Sequence, residues 1–399
     1  MYGYYMPTYE KIKGAVSLAS NSPGTPTGYG QQSKQLLERM LRHGLKVAAL
    51  SNYGLQGVRD TIKIGDQRIP HYPIGLSSHS QDVIPVWAHD FASQHPDLEH
   101  VLFTLYDVWV YNQMKYDGKI VSWVPLDHIT LPPGVNEFLR RENVYPVTMS
   151  PHGKRQLDAV GIENTYIPHG IDTKVYKPTE TVQGVKTRKY MGISEDAFLV
   201  GMVAANKANG QVHRKAYAEN LLAFSIHLKK HPNSYIYIHT DPSRAYGGFD
   251  LSVLLPMVGI PKDNVLLPDP VLFRTGYPQE DLAGFYTAFD VLLSTSYGEG
   301  FGIPTVEAQA CGTRVITSNF AASADLASED SWKVSGQAFW DEPQASFFMI
   351  PSVNGIVSAL DEAYDKRGHS DVAMEFGKQF DADKVFKESW LPFLKDLFK

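Results

Sequence analysis

Two carboxylates lie on either side of a glycine-rich turn in the second half of the chain. Glu299 stands inside the turn formed by residues 298–302, and Glu307 follows it eight residues later. Carboxylates accept hydrogen bonds from hydroxyl groups, so two of them set apart in this way suit a ligand with hydroxyls at both ends. The simpler interpretation is a strand–turn–helix unit that carries two solvated acids.

The elements around the turn indicate what lies between the two acids. An apolar run at residues 289–293 predicts a buried strand, Pro304 suits the first turn of a helix, and residues 305–311 are the helix candidate. The backbone N–H groups of residues 301–303 then point out of the helix N-terminus, where unpaired donors and the helix dipole attract phosphate. A nucleotide-sugar, with hydroxyls at its ends and phosphate in the middle, fits this arrangement.

This stretch also carries a family resemblance. Residues 299–313 read EGFGIPTVEAQACGT, and this pattern resembles the signature of retaining glycosyltransferases of the GT-B fold, in the large family four group. The resemblance extends over roughly residues 14–398. It implies an α/β fold in which two doubly wound Rossmann-like domains face a central cleft and a C-terminal helix crosses back onto the first domain.

The resemblance also implies where the domains divide. Residues 165–172, TYIPHGID, resemble the family's crossing between its two domains. We expect residues 1–171 to form an acceptor-side domain, residues 172–380 a nucleotide-sugar-binding domain, and residues 381–399 a helix that packs back on the first domain. Domain closure about this crossing is expected to exclude water from the site.

The chain opens in the manner of a doubly wound domain. A strand predicted at residues 14–20 is followed by a glycine-rich loop, a helix over 31–43 and a strand at 46–51. The loop has neither the G-x-G-x-x-G nor the P-loop pattern, so it gives little support to NAD or ATP. By the resemblance, Gly28 is the position where the backbone approaches the donor phosphate most closely.

Two later strands end on groups that can face a reacting sugar. The strands predicted at residues 100–106 and 119–125 lead to Asp107 and to the neighbours Asp127 and His128. In open α/β sheets, ligands bind outside the carboxyl ends of the strands. The resemblance implies that an acid or a histidine at this place faces the transferred sugar. Asp127 is favoured, and the choice between it and His128 stays open.

Cations cluster where a strand predicted at residues 198–204 leads into a helix that begins at Lys215 or Tyr217. Lys207, Arg214 and Lys215 stand in this stretch. A guanidinium holds a diphosphate by its fork geometry and an ammonium holds it as a point charge. The family usually uses an Arg and a Lys a few residues apart, so the adjacency of Arg214 and Lys215 leaves open that one points away and Lys207 takes its place.

The resemblance therefore implies a retaining glycosyltransferase that uses a UDP- or GDP-linked sugar, with no cofactor and no essential metal. Its expected donor-binding residues are Gly28, Lys207, Arg214, Lys215, Phe301, Gly302, Ile303 and Glu307. Its expected catalytic residues are Asp127, His128 and Glu299. In this scheme Glu307 holds the ribose, Glu299 holds hydroxyls of the transferred sugar, and the cations neutralise the leaving diphosphate.

Two other classes of protein stay open. A GT-B fold also suits an epimerase or a phosphorylase that acts on nucleotide-sugars, and a non-catalytic protein that only binds a nucleotide-sugar is a further alternative. The sequence does not identify the acceptor: lipid, glycan, protein and modified nucleic acid all remain candidates. A homodimer is also left open.

The composition of the chain narrows the possible classes of protein and of site. The 399 residues carry a net charge of −6, which argues against a surface that is coated with nucleic acid. The single cysteine, Cys311, excludes an internal disulfide and a cysteine-based metal cluster. No apolar run is long enough to cross a membrane and the N-terminus lacks an apolar signal core, so we expect a cytoplasmic protein. Residues 381–383 have a D-x-D form, but at this place we expect them to cap a helix.

Overall fold

The computed structural model describes residues 9–208, 212–245 and 247–399. Residues 1–8, which belong to the N-terminal stretch in which we find no signal core, lie outside these ranges, as do residues 209–211 of the predicted cation-rich loop. The described chain forms two large sheets flanked by helices, and the sheets follow one another along the sequence.

The first sheet has eight strands in the order β3-β4-β2-β1-β5-β6-β7-β8. Its strands are β1 (Ala15–Asn21), β2 (Lys46–Tyr53), β3 (Asp60–Ile64), β4 (Gln67–Tyr72), β5 (His100–Thr104), β6 (Lys119–Val124), β7 (Val144–Thr148) and β8 (Thr165–Tyr166). Its helices are α1 (Gly28–Arg42), α2 (Ile84–Ser93), α3 (Pro133–Leu139) and α4 (Pro151–Ala159). The strand pairs are parallel except for the β3–β4 hairpin, which extends one edge.

The second sheet has six parallel strands in the order β13-β12-β11-β14-β15-β16. The elements of this half, in chain order, are β9 (Thr181–Val182), β10 (Val185–Lys186), α5 (Thr187–Met191), β11 (Phe198–Val203), α6 (Tyr217–Lys230), β12 (Ser234–His239), α7 (Leu251–Met257), β13 (Val265–Leu266), α8 (Pro270–Thr275), α9 (Gln279–Ala288), β14 (Val291–Ser294), α10 (Ile303–Ala310), β15 (Val315–Ser318), α11 (Ala321–Asp325) and β16 (Trp332–Val334).

A hairpin and a run of helices complete the chain. They are β17 (Gly336–Asp341), β18 (Ser346–Pro351), α12 (Val353–Asp365), α13 (Asp371–Lys378), α14 (Ala382–Val385), a π-helical turn (Phe386–Trp390) and α15 (Leu391–Leu397). Single turns of 3-10 helix occur at Ser78–Ser80, Val108–Val110, Lys262–Asn264 and Glu342–Gln344. The central strands of both sheets are buried apolar runs, as expected for parallel strands with both faces covered. The predicted α/β class is therefore confirmed.

Two of the element boundaries that differ from the sequence prediction have local causes. Helix α1 begins at Gly28 and not at residue 31, because the Thr27 hydroxyl accepts a hydrogen bond from the Gly30 N–H at 3.1 Å and so caps the helix earlier. Strand β14 begins at Val291 and not at residue 289, because the Phe289 N–H still closes the end of α9 by donating to the carbonyls of Phe285 (3.3 Å) and Tyr286 (3.2 Å). Gly28 thus belongs to a helix start and not to a loose loop.

Two stretches of chain pass side by side between the sheets. The Ile171 N–H donates to the Phe380 carbonyl at 2.8 Å, and the Ala382 N–H donates to the Ile171 carbonyl at 2.9 Å. Gln32 of α1 holds this crossing, since its side-chain amide donates to the Gly170 carbonyl at 2.7 Å. The predicted crossing near residues 168–172 thus runs beside the returning C-terminal segment.

The C-terminal helices pack back onto the first sheet. The Trp390 ring lies 5.0 Å from the Trp123 ring at an interplanar angle of 89°. The Asp381 carboxylate accepts hydrogen bonds from the N–H groups of Asp383 (3.0 Å) and Lys384 (2.9 Å), so it caps α14. The D-x-D sequence therefore serves as a helix cap, as predicted.

The hairpin β17–β18 was not predicted, and it reaches across to the first sheet. Ile129, just beyond β6, exchanges two backbone hydrogen bonds with Phe347 of β18, at 3.0 and 2.9 Å. The hairpin thereby adds a short antiparallel pairing to the loop that carries Asp127 and His128. This contact places side chains of the second half of the chain against the carboxyl end of β6.

Candidate active site

The glycine-rich turn presses against the end of β6. A Cβ atom placed on Gly298 would lie 2.1 Å from the carbonyl oxygen of Asp127, and one placed on Gly300 would lie 2.3 Å from the Cβ of Pro125. Both distances are far below any real contact, so only glycine allows this approach. Because Glu299 stands between the two glycines, the close packing brings it to the same place as Asp127.

Glu299 is buried, with 8 % of its surface exposed, and both of its carboxylate oxygens are occupied. Its Oε1 accepts from Lys215 Nζ and from the Ser296 hydroxyl, the latter at 2.6 Å, and its Oε2 accepts from Arg214 Nη1 at 3.2 Å. Burial by itself raises the pKa of Glu299, but Lys215 and Arg214 outweigh it and lower the pKa to about 2. Glu299 is therefore ionised and fixes two cations.

Arg214 and Lys215 both point towards Glu299, although they are neighbours in the sequence. They precede α6, and Ala216 after them adopts a left-handed conformation with φ of +50°. The open expectation that one of the two points away is therefore wrong. Lys207 is exposed and lies near Arg214, Asp107 and Glu299 without replacing either neighbour. The cations form one cluster with Arg214 at its centre.

His128 lies between two carboxylates that come from different halves of the chain. Its Nδ1 lies 2.7 Å from Asp127 Oδ1, its Nε2 lies 2.9 Å from Asp341 Oδ2, and its ring stacks on Phe348 at 3.8 Å. Burial lowers the pKa of His128, but its hydrogen bonds to Asp127 and Asp341 outweigh burial and raise the pKa overall. Both ring nitrogens are therefore engaged, and the two carboxylates favour the protonated form of the ring.

Asp127 has one oxygen that faces the cation cluster. Its Oδ2 lies 3.8 Å from Arg214 Nη1, while its Oδ1 is taken by His128. Burial favours the protonated acid, but His128 and Arg214 outweigh it and lower the pKa of Asp127 to about 2. Asp107, at the end of β5, behaves in the opposite way, since burial and the charge of Asp127 raise its pKa to about 6. The site thus holds two acids of different proton affinity.

The starts of two helices face each other beside this cluster. A Cβ atom on Gly28, at the beginning of α1, would lie 3.2 Å from Ile303 Cδ1, at the beginning of α10. Gly302 precedes α10 with φ of +99°, a conformation that favours glycine. Within residues 9–208, 212–245 and 247–399, no acceptor pairs with the N–H of Gly302 or Ile303. Phe301 is buried against His169, at 5.0 Å between ring centres, so its side chain is structural and only its backbone borders the site.

Glu307 is held apart from the cations by two tyrosines. The Tyr286 hydroxyl donates to Glu307 Oε2 at 2.8 Å, and the Tyr176 hydroxyl lies near the same carboxylate. Burial raises the pKa of Glu307 from 4.5 to about 7, although both hydroxyls oppose the shift. The two glutamates of the motif therefore lie in different electrostatic surroundings: one is permanently charged and the other titrates near neutrality.

The sequence interpretation missed four groups in this region, namely Ser296, Tyr286, Asp341 and Phe348. Asp341 and Phe348 belong to the β17–β18 hairpin, whose signal in the sequence is a pair of short apolar runs, at residues 338–340 and 347–350, on either side of Glu-Pro-Gln at 342–344. Among the predicted residues, the structure gathers Asp127, His128, Arg214, Lys215 and Glu299 into one contact network.

Solved structures with the same overall architecture show what class of fold this is. The chain superposes on sucrose-phosphate synthase from Thermosynechococcus elongatus with a TM-score of 0.73 and 15 % identity, over 97 % of this chain and 99 % of that one. It superposes on the trehalose-6-phosphate synthase OtsA with a TM-score of 0.65 and 14 % identity, over 96 % and 99 %. The lipopolysaccharide-biosynthesis glycosyltransferase WaaG gives 0.59 and 15 %, over 94 % and 95 %. The fold is GT-B, as the sequence resemblance implied.

Sequence comparisons agree with the motif. The family model described as glycosyl transferases group 1 matches residues 262–339, a segment that contains Glu299 and Glu307. A D-inositol 3-phosphate glycosyltransferase of Corynebacterium jeikeium is 29 % identical over 161 residues, which cover 40 % of this chain and 36 % of the relative. One of Mycobacterium ulcerans is 43 % identical over 54 residues, which cover 14 % of this chain and 12 % of the relative. The resemblance to this group of GT-B glycosyltransferases is confirmed, and the longer of these alignments spans about a third of the curated relative.

Among the described residues, no helix combines the length and the apolar character that a membrane-spanning helix needs.

Proposed function

We propose that the protein is a retaining glycosyltransferase that transfers a sugar from a UDP- or GDP-linked donor to an acceptor. One observation carries the proposal: Arg214 and Lys215 converge on Glu299 beside the start of α10, where the N–H groups of Gly302 and Ile303 have no acceptor among the described residues. A guanidinium and an ammonium carry more N–H donors than one carboxylate occupies, so donors remain for a diphosphate, and the helix start offers further ones.

In the proposed complex the donor lies along this row of groups. Its diphosphate contacts Arg214, Lys215 and the amides of Gly302 and Ile303, while Gly28 allows the first domain to approach it. Glu307 accepts hydrogen bonds from the ribose, where the hydroxyls of Tyr286 and Tyr176 already orient its carboxylate. Glu299, which fixes the cations in the unliganded protein, also accepts from hydroxyls of the transferred sugar.

The difficult step of the proposed reaction is departure of the diphosphate. The bond between the anomeric carbon and the phosphate oxygen breaks, its electron pair stays with the diphosphate, and fixed cations and amides stabilise the charge as it develops. The acceptor hydroxyl then forms the new bond on the same face and gives up its proton to the departing phosphate oxygen. We propose that Arg214 and Lys215 supply the stabilisation that a metal ion supplies in other transferases, so no metal is required.

Asp127 is the group that we place against the sugar ring. It is ionised, and its Oδ2 faces the cluster, whereas both nitrogens of His128 are engaged. A fixed negative charge here stabilises the positive charge of an oxocarbenium-like transition state. His128 is then a positioning residue that orients Asp127 and keeps it ionised.

The names of similar proteins indicate which donors to test first. One solved structure with a TM-score of 0.65 and 13 % identity is described as bound to UDP-2-fluoro glucose. Several curated relatives are named as glycosyltransferases of D-inositol 3-phosphate. These names support UDP-sugars as first donors and small phosphorylated polyols as first acceptors, with lipid, glycan, protein and modified nucleic acid as further candidates.

A thermal-shift screen of UDP- and GDP-sugars tests the proposal, because a ligand that binds only the folded state raises Tm. We expect one donor to stabilise the protein, Arg214→Gln to abolish the shift, and Arg59→Gln, which alters an exposed ion pair with Asp90, to preserve it. Product analysis by mass spectrometry and NMR should then show an added sugar with the anomeric configuration of the donor, also in the presence of EDTA.

Other products would identify the alternative classes. A changed sugar on the intact nucleotide without any acceptor would indicate an epimerase, and turnover that requires inorganic phosphate would indicate a phosphorylase. Binding of a donor without turnover across the acceptor panel would favour a non-catalytic protein. Each of these results would contradict glycosyl transfer as the function.

A further inference from the structure

A second cluster of polar side chains lies at the opposite end of α6 from Arg214 and Lys215. His227 and His231 are four residues apart, on one face of α6 and its C-terminal end, and Asp361 of α12 faces both. Residues 217 and 227 are separated by about 15 Å along a helix axis. The cluster is therefore remote from the candidate active site.

The three side chains converge on a common point. His227 Nδ1 lies 2.7 Å from Asp361 Oδ1, His231 Nε2 lies 3.7 Å from the same oxygen, and all three ligand atoms lie within 4.8 Å of one another. Ligands that bind Zn²⁺ tetrahedrally at about 2.0–2.1 Å are separated from each other by about 3.3 Å. Shifts of under an ångström in the histidine and aspartate side chains would satisfy that geometry.

The groups around the cluster orient each ligand as metal-binding side chains are usually oriented. Lys230 Nζ holds the other oxygen of Asp361, Oδ2, at 2.6 Å and leaves Oδ1 for the common point. The His231 ring stacks on Tyr364 at 3.8 Å. Ser234 Oγ lies 3.3 Å from His227 Nε2, on the side of the ring that points away from Asp361.

The proton on His227 can move from Nδ1 to Nε2 while the hydrogen bond to Ser234 is kept. Nδ1 of His227 faces the Asp361 carboxylate, which can only accept, so Nδ1 carries the proton there, and Nε2 lies within hydrogen-bond distance of the Ser234 hydroxyl. When a metal binds Nδ1, the ring carries its proton on Nε2 and donates it to Ser234 Oγ, because a hydroxyl both donates and accepts.

We propose that His227, His231 and Asp361 bind a divalent transition-metal ion, with Zn²⁺ as the leading candidate. The bound ion holds α6 against α12. Two imidazole nitrogens and one carboxylate oxygen form a ligand set that suits Zn²⁺, with water in the fourth position. Asp361 is 28 % and His231 24 % exposed at the side chain, so the site opens to solvent on one side. The metal stabilises the second domain and takes no part in the proposed sugar transfer.

The test uses the full-length protein without an affinity tag, stripped with a chelator and then titrated with Zn²⁺ alone. We expect one equivalent of Zn²⁺ to bind and to raise Tm. His231→Gln and Asp361→Asn should lose most of the Tm shift and weaken Zn²⁺ binding at least tenfold. Co²⁺ should bind wild-type protein with the intense visible absorption of tetrahedral cobalt, and this band should be missing from His231→Gln.

His369→Gln is the matched control, since His369 forms an exposed pair with Asp371 at 3.2 Å and joins no cluster of three such ligands among the residues that the structure describes. It should bind Zn²⁺ as wild type does. The proposal is overturned if wild type binds no Zn²⁺, or if His231→Gln binds it as tightly as His369→Gln does; the cluster would then be an ordinary helix–helix hydrogen bond with an ion pair. Circular dichroism of each variant shows that it is folded.

Discussion

Asp341 lies 213 residues beyond His128 in the chain, yet its carboxylate hydrogen-bonds to the Nε2 of that histidine at 2.9 Å. The β17–β18 hairpin makes this possible because it pairs with Ile129 next to the histidine. The β17–β18 hairpin thus completes a row of carboxylate, imidazole and carboxylate whose other end is Asp127. The ionisation of Asp127 therefore depends on the contact between the β17–β18 hairpin and the loop that follows β6.

Replacing Asp341 by Asn is expected to reduce kcat by about ten- to a hundredfold, the size of a lost charge-assisted hydrogen bond of ~1.5–3 kcal/mol. The donor Kd should stay unchanged, because Asp341 does not contact the proposed donor. The pKa of His128 is raised by its carboxylates, so removal of one lowers it, and the loss of activity with rising pH should begin at a lower pH. Steady-state kinetics against pH measures both effects.

The control for this variant is Asp371→Asn, whose side chain is 85 % exposed. It should leave kcat and the pH profile as in wild type. A purely structural role for Asp341 would lower the amount of active enzyme without moving the pH profile, and that outcome would contradict the prediction.

Replacing Glu299 by Gln is expected to destabilise the protein without donor by about 1–3 kcal/mol, because it leaves two partly buried cations without their carboxylate. Pyrophosphate should then stabilise the variant more than it stabilises wild type, since an anion restores the missing charge. Chemical denaturation with and without pyrophosphate measures the difference. Equal stabilisation of both proteins would show that the anion does not bind beside Arg214 and Lys215.

Glu307 should make stability depend on pH in the neutral range. Its pKa in the folded protein is raised to about 7, so its contribution to stability is fully present below its unfolded pKa of about 4.3 and is lost as pH rises to about 7. Asp107, whose pKa is raised to about 6, acts in the same direction over a lower range. Glu307→Gln should therefore lose less stability than wild type between pH 5 and 8.

Urea unfolding at several pH values tests this, with Glu375→Gln as control, because the Glu375 side chain is 68 % exposed on α13. The control should follow the wild-type curve. A Glu307→Gln curve parallel to wild type between pH 5 and 8 would mean that Glu307 is ionised throughout.

Gly298→Ala should impair catalysis more than donor binding. A Cβ atom there would lie 2.1 Å from the carbonyl oxygen of Asp127, so the turn must withdraw from β6. We expect kcat to fall at least tenfold, while the donor Kd changes little because Arg214 and Lys215 lie on the same side of the contact as Gly298. In Gly134→Ala the new Cβ atom meets only Asn112 Nδ2 at 3.6 Å, and full activity is expected. Equal kcat values for the two variants would contradict the close approach.

The sequence predicted the elements whose signals are local. The turn before α10 was recognisable because Gly302 and Pro304 have defined conformational roles at a helix start. The parallel sheets followed from apolar runs separated by helical patterns. The helix cap at Asp381 was predictable for the same reason, since a cap depends on neighbours in the chain.

Long-range relations could not be predicted in this way. Arg214 and Lys215 both face Glu299 because the backbone of Ala216 is left-handed. The presence of an alanine does not predict that conformation. The partnership of His128 with Asp341 depends on where a hairpin docks, and no local pattern specifies that. Such contacts are set by tertiary packing, so they appear only in the folded structure.

The position of the donor diphosphate tests the central claim most directly. A crystal structure of the protein with its stabilising nucleotide-sugar, or with UDP and an unreactive sugar analogue, should place the diphosphate within hydrogen-bond distance of Arg214, Lys215 and the Gly302 N–H. The ribose should contact Glu307 and the sugar should lie beside Asp127. A diphosphate bound elsewhere, with Arg214 and Lys215 still paired only with Glu299, would contradict the account.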